Sequence, residues 1–150
     1  MTKALIICTS IAHGNTRRVA EAMAEVLGAK VVAPGEVGPA ELAAHDLVGF
    51  GSGIFNQRFH PELRRFVAAL PVRRSGRGFL FWTCGLPERP FLTRSLVRTL
   101  RGKGYEDAGA FGCRGHDTWA PFRLVGGIHR GRPDGRDLAA ARAFAEGLDG

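Results

Sequence analysis

The sequence predicts an α/β fold, a doubly wound three-layer sandwich around a five-stranded parallel sheet of order 2-1-3-4-5. Three observations carry this expectation. Short apolar runs alternate with helix-period segments five times along the 150 residues, the pattern that right-handed βαβ crossovers produce. The apolar runs are nearly continuous, as strands buried on both faces require. The helical segments are apolar on one side only, as helices that cover a sheet require. No repeat, linker or low-complexity tract divides the chain, so residues 1–150 read as a single domain. A domain of this size buries roughly two-thirds of its unfolded surface, enough for a core without disulfides or a structural metal.

Each element follows in order. Residues 3–8 (KALIIC) give the first strand. After Thr16, the positions Val19, Ala22, Met23, Val26 and Leu27 recur at helical spacing, and Gly28 is a natural stop. Residues 29–32 read as a second short strand, and Pro34-Gly35 with Gly38-Pro39 mark loops around a helical turn over 39–44. Residues 46–51 (DLVGFG) are the central strand, whose glycines permit close packing; a loop over 52–60 follows. Pro61 suits the first position of a helix with Leu63, Phe66, Val67 and Leu70 as its buried stripe. Residues 78–83 (GFLFWT) form the fourth strand. The next helix turns Leu92, Leu96 and Leu100 inward and Arg94, Arg98 and Arg101 outward, and ends at Gly102 and Gly104. Residues 105–112 give the fifth strand, and Leu138, Ala141, Ala145 and Leu148 define a last helix capped by Asp134. Between these two elements lies a stretch over 113–133 that is long for a connection. It contains Trp119, Phe122 and Ile128, and it reads as ordered and functional.

Composition removes several classes of function. The cysteines are Cys8, Cys84 and Cys113, an odd count without metal-ligand spacing, so neither a secreted disulfide framework nor a zinc site is expected. A reducing cytoplasm fits best. The apolar stretch near the start is too short for a signal peptide or a membrane span. Formal net charge is +7, and between Arg58 and Arg132 fifteen Lys and Arg stand against five Asp and Glu. Either this excess attracts an anionic partner or it reflects a solvated arginine-rich surface.

Doubly wound sheets bind ligands beyond the carboxyl ends of their strands, beside the point where strand order reverses. The sites should therefore follow Cys8, Gly51 and Thr83. After the first strand, the loop Thr9-Ser10-Ile11-Ala12-His13-Gly14-Asn15-Thr16 offers three hydroxyls, an imidazole and an amide, and ends where a helix begins. Unpaired N–H groups at a helix start and side-chain donors around them make a phosphate cradle. The loop lacks the lysine of nucleoside triphosphatase loops and the G-x-G-x-x-G of dinucleotide sites, so a monophosphate ligand is the better fit.

Gly14-Asn15-Thr16 closes this loop as Gly-Asn-Thr commonly closes the phosphate loop of the flavodoxin family, which the chain resembles across essentially its whole length. The resemblance implies a flavodoxin-like fold and bound flavin mononucleotide (FMN). Against the short pattern S-x-T-G-N-T the loop is one residue longer, with Ala12 and His13 where Thr is expected; His13 either donates to the phosphate in its place or is simply solvated. The resemblance also implies that Ser52, Gly53, Ile54, Phe55 and Asn56 meet the flavin ring. Ile54 or Phe55 covers one ring face unless both plug the core, and Gly53 or Asn56 undergoes the peptide flip that accompanies flavin reduction. By the same resemblance Thr83, Cys84 and Gly85 bring backbone N–H groups to the pyrimidine edge; without an obvious activating base in its loop, Cys84 reads as a packing residue rather than a nucleophile. The segment from Cys113 through Trp119 to Phe122 is similar to one found in a subset of flavodoxin-like proteins. There Trp119 or Phe122 approaches the flavin or a partner, or anchors the long loop.

Three functions are compatible with these residues. In the first, the chain is an electron carrier in which FMN does the redox chemistry and no catalytic side chain is needed. Flavodoxins are typically acidic and dock on basic partners, so a basic member implies acidic redox protein partners. In the second, the chain is a small FMN-dependent oxidoreductase acting on NAD(P)H, a quinone or another small acceptor. In the third, it is a flavin-free binding module; Arg73, Arg74, Arg94, Arg98 and Arg101 suggest nucleic acid, but no recognition signature supports it.

Overall fold

A computed structural model describes residues 2–9, 14–55, 58–84, 91–114 and 133–148 of the chain. Among these residues six strands and five α-helices are formed in the order β1 (Ala4–Thr9), α1 (Asn15–Leu27), β2 (Lys30–Val32), α2 (Pro39–Ala43), β3 (Leu47–Phe55), β4 (Arg58–Phe59), α3 (Pro61–Ala68), β5 (Arg77–Cys84), α4 (Arg94–Gly102), β6 (Glu106–Arg114) and α5 (Gly135–Leu148), with a 3₁₀ turn at Pro34–Glu36. Five strands are parallel in the order β2-β1-β3-β5-β6. This is the expected 2-1-3-4-5 arrangement of a doubly wound sheet, with one small strand added.

The added strand corrects the loop expected over 52–60. β3 runs on through Ser52, Gly53, Ile54 and Phe55, and its end pairs antiparallel with β4, Ile54 opposite Phe59 and Phe55 opposite Arg58. Burial drives this hairpin. Phe59 is 2% exposed and meets the indole of Trp82 edge-on at 5.9 Å, an aromatic geometry that adds to the area it removes from water.

Alternating side chains sort the core into two layers, as the period of a strand requires. Leu5, Ile7, Val48, Phe50, Leu80 and Trp82 face α2, α3 and α4, while Ile6, Cys8, Leu47, Phe79 and Phe81 face α1 and α5. The helix faces are those the apolar spacing predicts, except that Val26, Phe66, Leu92 and Leu138 are only half-buried. The expected cap of α5 is present: Asp134 Oδ1 accepts the N–H groups of Arg136 at 3.0 Å and Asp137 at 3.1 Å.

Register explains how so many aromatic rings fit in a thin sheet. Three aromatics of β5 each pair with a glycine on a neighbouring strand: Phe79 with Gly49, Phe81 with Gly51 and Trp82 with Gly112. A Cβ on those glycines would lie 2.3 Å from the Phe79 ring, 2.2 Å from the Phe81 ring and 2.1 Å from the Trp82 indole. Each ring therefore occupies the space its partner's missing side chain leaves.

At the opposite end of the sheet, Arg73 is a structural cation. Its guanidinium donates to the carbonyls of Leu42 at 3.1 Å, His45 at 2.8 Å and Ser75 at 2.6 Å, and lies 5.1 Å from the ring centre of Tyr105. Gly104 passes beneath it with φ at +96°, where a Cβ would lie 2.0 Å from the Arg73 carbonyl oxygen. Part of the chain's positive charge is thus engaged in holding the fold together. Among the described residues no helix is long and apolar enough to cross a membrane.

Candidate functional site

The carboxyl ends of β1, β3, β5 and β6 form one edge of the sheet, and the register sets the sequence-predicted residues side by side along it. Thr9 pairs with Ser52, and Ser52 with Trp82; one row further out, Gly53 pairs with Thr83, and Thr83 with Cys113. Segments far apart in the chain therefore meet at the reversal of strand order between β1 and β3, where such sheets bind ligands.

The start of α1 has features common to anion-binding helix ends. Its N-cap is Gly14, in the left-handed region at φ 61° and ψ 25°, a conformation that costs a glycine little. Among the described residues no side chain caps the helix, and no acidic residue lies in its first turn. The first N–H groups of a helix have no intrahelical partner, and the helix dipole adds positive potential there. Asn15 and Thr16 are buried at this end rather than solvated. The Thr16 hydroxyl lies 2.8 Å from that of Thr83, tying the helix start to the end of β5.

Thr9 is 7% exposed, and its Oγ1 finds no hydrogen-bond partner among the described residues. Ser52, fully buried, has its hydroxyl engaged in its own hairpin. It accepts from the His60 N–H at 3.0 Å and donates to the Gly53 carbonyl at 2.8 Å. Ile54 is half-buried against the α3 side of the core, and Phe55 ends β3. Cys84 belongs to the same apolar cluster as Trp82 and Leu96, while Cys113 lies with the cluster on the other face of the sheet. None of the three cysteines is in a disulfide. Burial pushes the Cys8 thiol up to about 12 against the weaker opposing pull of Arg17, which leaves it neutral and unreactive. Ser10, Ile11, His13, Asn56, Gly85 and Trp119, also expected at this edge, lie outside the described residues.

One residue at this edge escapes sequence reading. Trp82 Nε1 is buried without a hydrogen-bond partner among the described residues. The sequence shows the residue only as one more apolar position in a strand. Its place beside Ser52 and over Gly112 depends on the pairing of three strands.

Comparison with known proteins agrees with this geometry. Residues 6–110 match the family described as "Flavodoxin domain". The chain is 33% identical over 147 residues to an uncharacterized protein of Methanocaldococcus jannaschii, covering 97% of each. Among solved structures it is similar to a flavodoxin from the domain Archaea, with TM-score 0.70, 17% identity, and 97% of this chain and 95% of that one covered. It is also similar to oxidised flavodoxin 1 of Bacillus cereus, with TM-score 0.71, 14% identity and 97% of both chains covered. A chain with this sheet order, this residue composition at the carboxyl edge and this family match belongs to the flavodoxin domain family.

Proposed function

We propose that the chain binds FMN noncovalently at the carboxyl edge of its sheet and acts as an electron carrier. The observation that carries this reading is the Thr9 hydroxyl, buried and without a partner among the described residues where β1 gives way to the uncapped start of α1. A buried hydroxyl left unsatisfied costs about 1–3 kcal/mol. A phosphate monoester at that position supplies the missing acceptor and lies at the start of α1, where the helix dipole favours an anion.

Thr9, Ser10, Ile11, His13, Gly14, Asn15 and Thr16 would hold the phosphate. Ser52, Gly53, Ile54, Phe55 and Asn56 would lie against the flavin ring, and Thr83, Cys84, Gly85, Cys113 and Trp119 along its other edges. Bound FMN supplies the redox chemistry of such a protein. The chain's own part is to anchor the phosphate, to cover the ring with apolar groups, and to hold the end of β5 against the start of α1 through the Thr16 and Thr83 pair.

The test is a visible spectrum of the purified chain, recorded on addition of FMN and through stepwise reduction with dithionite. A bound-flavin spectrum that reduces in two resolved one-electron stages is expected. Direct two-electron reduction would move the assignment to a small oxidoreductase acting on NAD(P)H, a quinone or a similar acceptor. Failure to bind FMN would overturn the reading altogether.

A further inference from the structure

The two helical layers carry very different charge. In α1 and α5, Arg17, Arg18, Arg136 and Arg142 are matched by Glu21, Glu25, Asp137 and Glu146. Two cross-links are formed, Arg17 to Glu21 at 3.0 Å and Arg142 to Glu25 at 3.7 Å. On the other layer, Arg64, Arg65, Arg94, Arg98 and Arg101 of α3 and α4 face two acids, Glu62 of α3 and Glu41 of α2. Of these, Arg64 donates to the Phe59 carbonyl, and Arg101 lies 3.7 Å from Asp107. Arg94 and Arg98 are exposed and have no carboxylate partner among the described residues.

Beside them stands an unusual side chain. Phe91 is 58% exposed, and the Arg94 guanidinium lies 5.0 Å from its ring centre. An aromatic ring and arginines together on an open surface are the residue types that protein interfaces concentrate. Position adds to this. α4 returns antiparallel to β5, so Phe91 and Arg94 lie at the end of the molecule where β5 finishes in Thr83 and Cys84.

We propose that Phe91, Arg94 and Arg98 form a docking surface for an acidic redox protein, placed beside the carboxyl edge of the sheet. That the partner is a redox protein rests on the electron-carrier reading; that it is acidic rests on the charge of the α3 and α4 layer alone. Charge complementarity of this kind steers encounter and fixes orientation. Nucleic acid is the poorer fit, because the one exposed ring of the patch is already covered by a guanidinium and offers no row of stacking platforms.

The experiment measures transfer from the reduced, FMN-loaded full chain to two probes, ferricytochrome b5, which is acidic, and ferricytochrome c, which is basic. Each event passes one electron from the reduced chain to the ferric haem iron of the probe. Rates are compared across ionic strength for the native chain, for Arg94→Glu with Arg98→Glu, and for Arg136→Glu with Arg142→Glu, which changes net charge equally on the opposite face. The expected result with cytochrome b5 is a rate that falls with salt and drops on the order of tenfold in the α4 variant, but changes less than twofold in the α5 variant. Equal losses in the two variants, or no loss in the α4 variant, would overturn the inference. So would loss of salt-dependent oligonucleotide binding in the α4 variant with the cytochrome b5 rate intact. If the chain does not load with FMN, the carrier reading fails by itself. Association of the unloaded chain with ferricytochrome b5, followed by calorimetry in the same variants, then decides the docking surface.

Discussion

The hydroxyl of Thr16, in the first turn of α1, lies 2.8 Å from the hydroxyl of Thr83 at the end of β5, and both side chains are buried. One hydrogen bond thus joins the helix that follows the first strand to the end of β5 at the same edge of the sheet, 67 residues further along the chain. Thr83→Val keeps the shape and leaves the Thr16 hydroxyl unsatisfied, with an expected loss of about 1–3 kcal/mol. The double variant Thr16→Val with Thr83→Val should lose less than the sum of the two single changes. Urea unfolding of the four proteins measures the coupling; strict additivity would show that the hydroxyls do not interact.

Thr9→Val separates the cost of a buried hydroxyl from its use. Without FMN the variant should match or exceed the native chain in stability by about 1 kcal/mol, because a group without a partner among the described residues has been removed. With FMN the order should reverse, and the flavin should bind several-fold more weakly. Thermal unfolding with and without FMN gives both numbers. A variant less stable than the native chain in the absence of FMN would show that the hydroxyl already has a partner.

The aromatic and glycine pairs of the central sheet are complementary in volume. Gly49→Ala places a Cβ 2.3 Å from the Phe79 ring and should destabilise the fold by about 1–3 kcal/mol or more. Adding Phe79→Leu to Gly49→Ala should recover part of that loss, although Phe79→Leu alone is destabilising. Denaturant midpoints of the single and double variants test this, and a double variant worse than both singles would contradict the packing described.

Gly104→Ala should be costlier than an ordinary surface change. The backbone there has φ at +96°, and the new Cβ meets the Arg73 carbonyl oxygen at 2.0 Å. A loss of at least about 2 kcal/mol is expected from strain and displacement of the Arg73 staple. The same urea titration reads it.

Cys8 gives a pH dependence of definite sign. Its thiol is raised from 9.0 to about 12 by burial, so above pH 9 the unfolded chain loses this proton while the folded chain keeps it. Stability from this group is complete below about pH 9 and is lost as pH rises from 9 to 12, with a slope near 1.4 kcal/mol per pH unit in mid-range. Cys8→Ala should remove that component of the slope. Unfolding free energies at pH 8 and pH 10.5 measure it, and identical slopes in the two proteins would contradict the burial of Cys8.

The sequence by itself determined the alternation of strands and helices and the face most helices bury, and its family resemblance supplied the five-strand order and the edge at which a ligand is expected. These are legible because periods of two and 3.6 residues are local properties, and because crossover handedness leaves few ways to connect the elements. Tertiary structure alone decided the rest. The β4 hairpin depends on Phe59 finding Trp82, the glycines of β3 and β6 are explained only by the rings of β5 set opposite them, and Arg73 is structural because carbonyls of Leu42 and His45 converge on it. In each case the deciding contact joins residues distant in the chain. Local patterning fixes which face a residue takes, but only the packed register decides what it meets there.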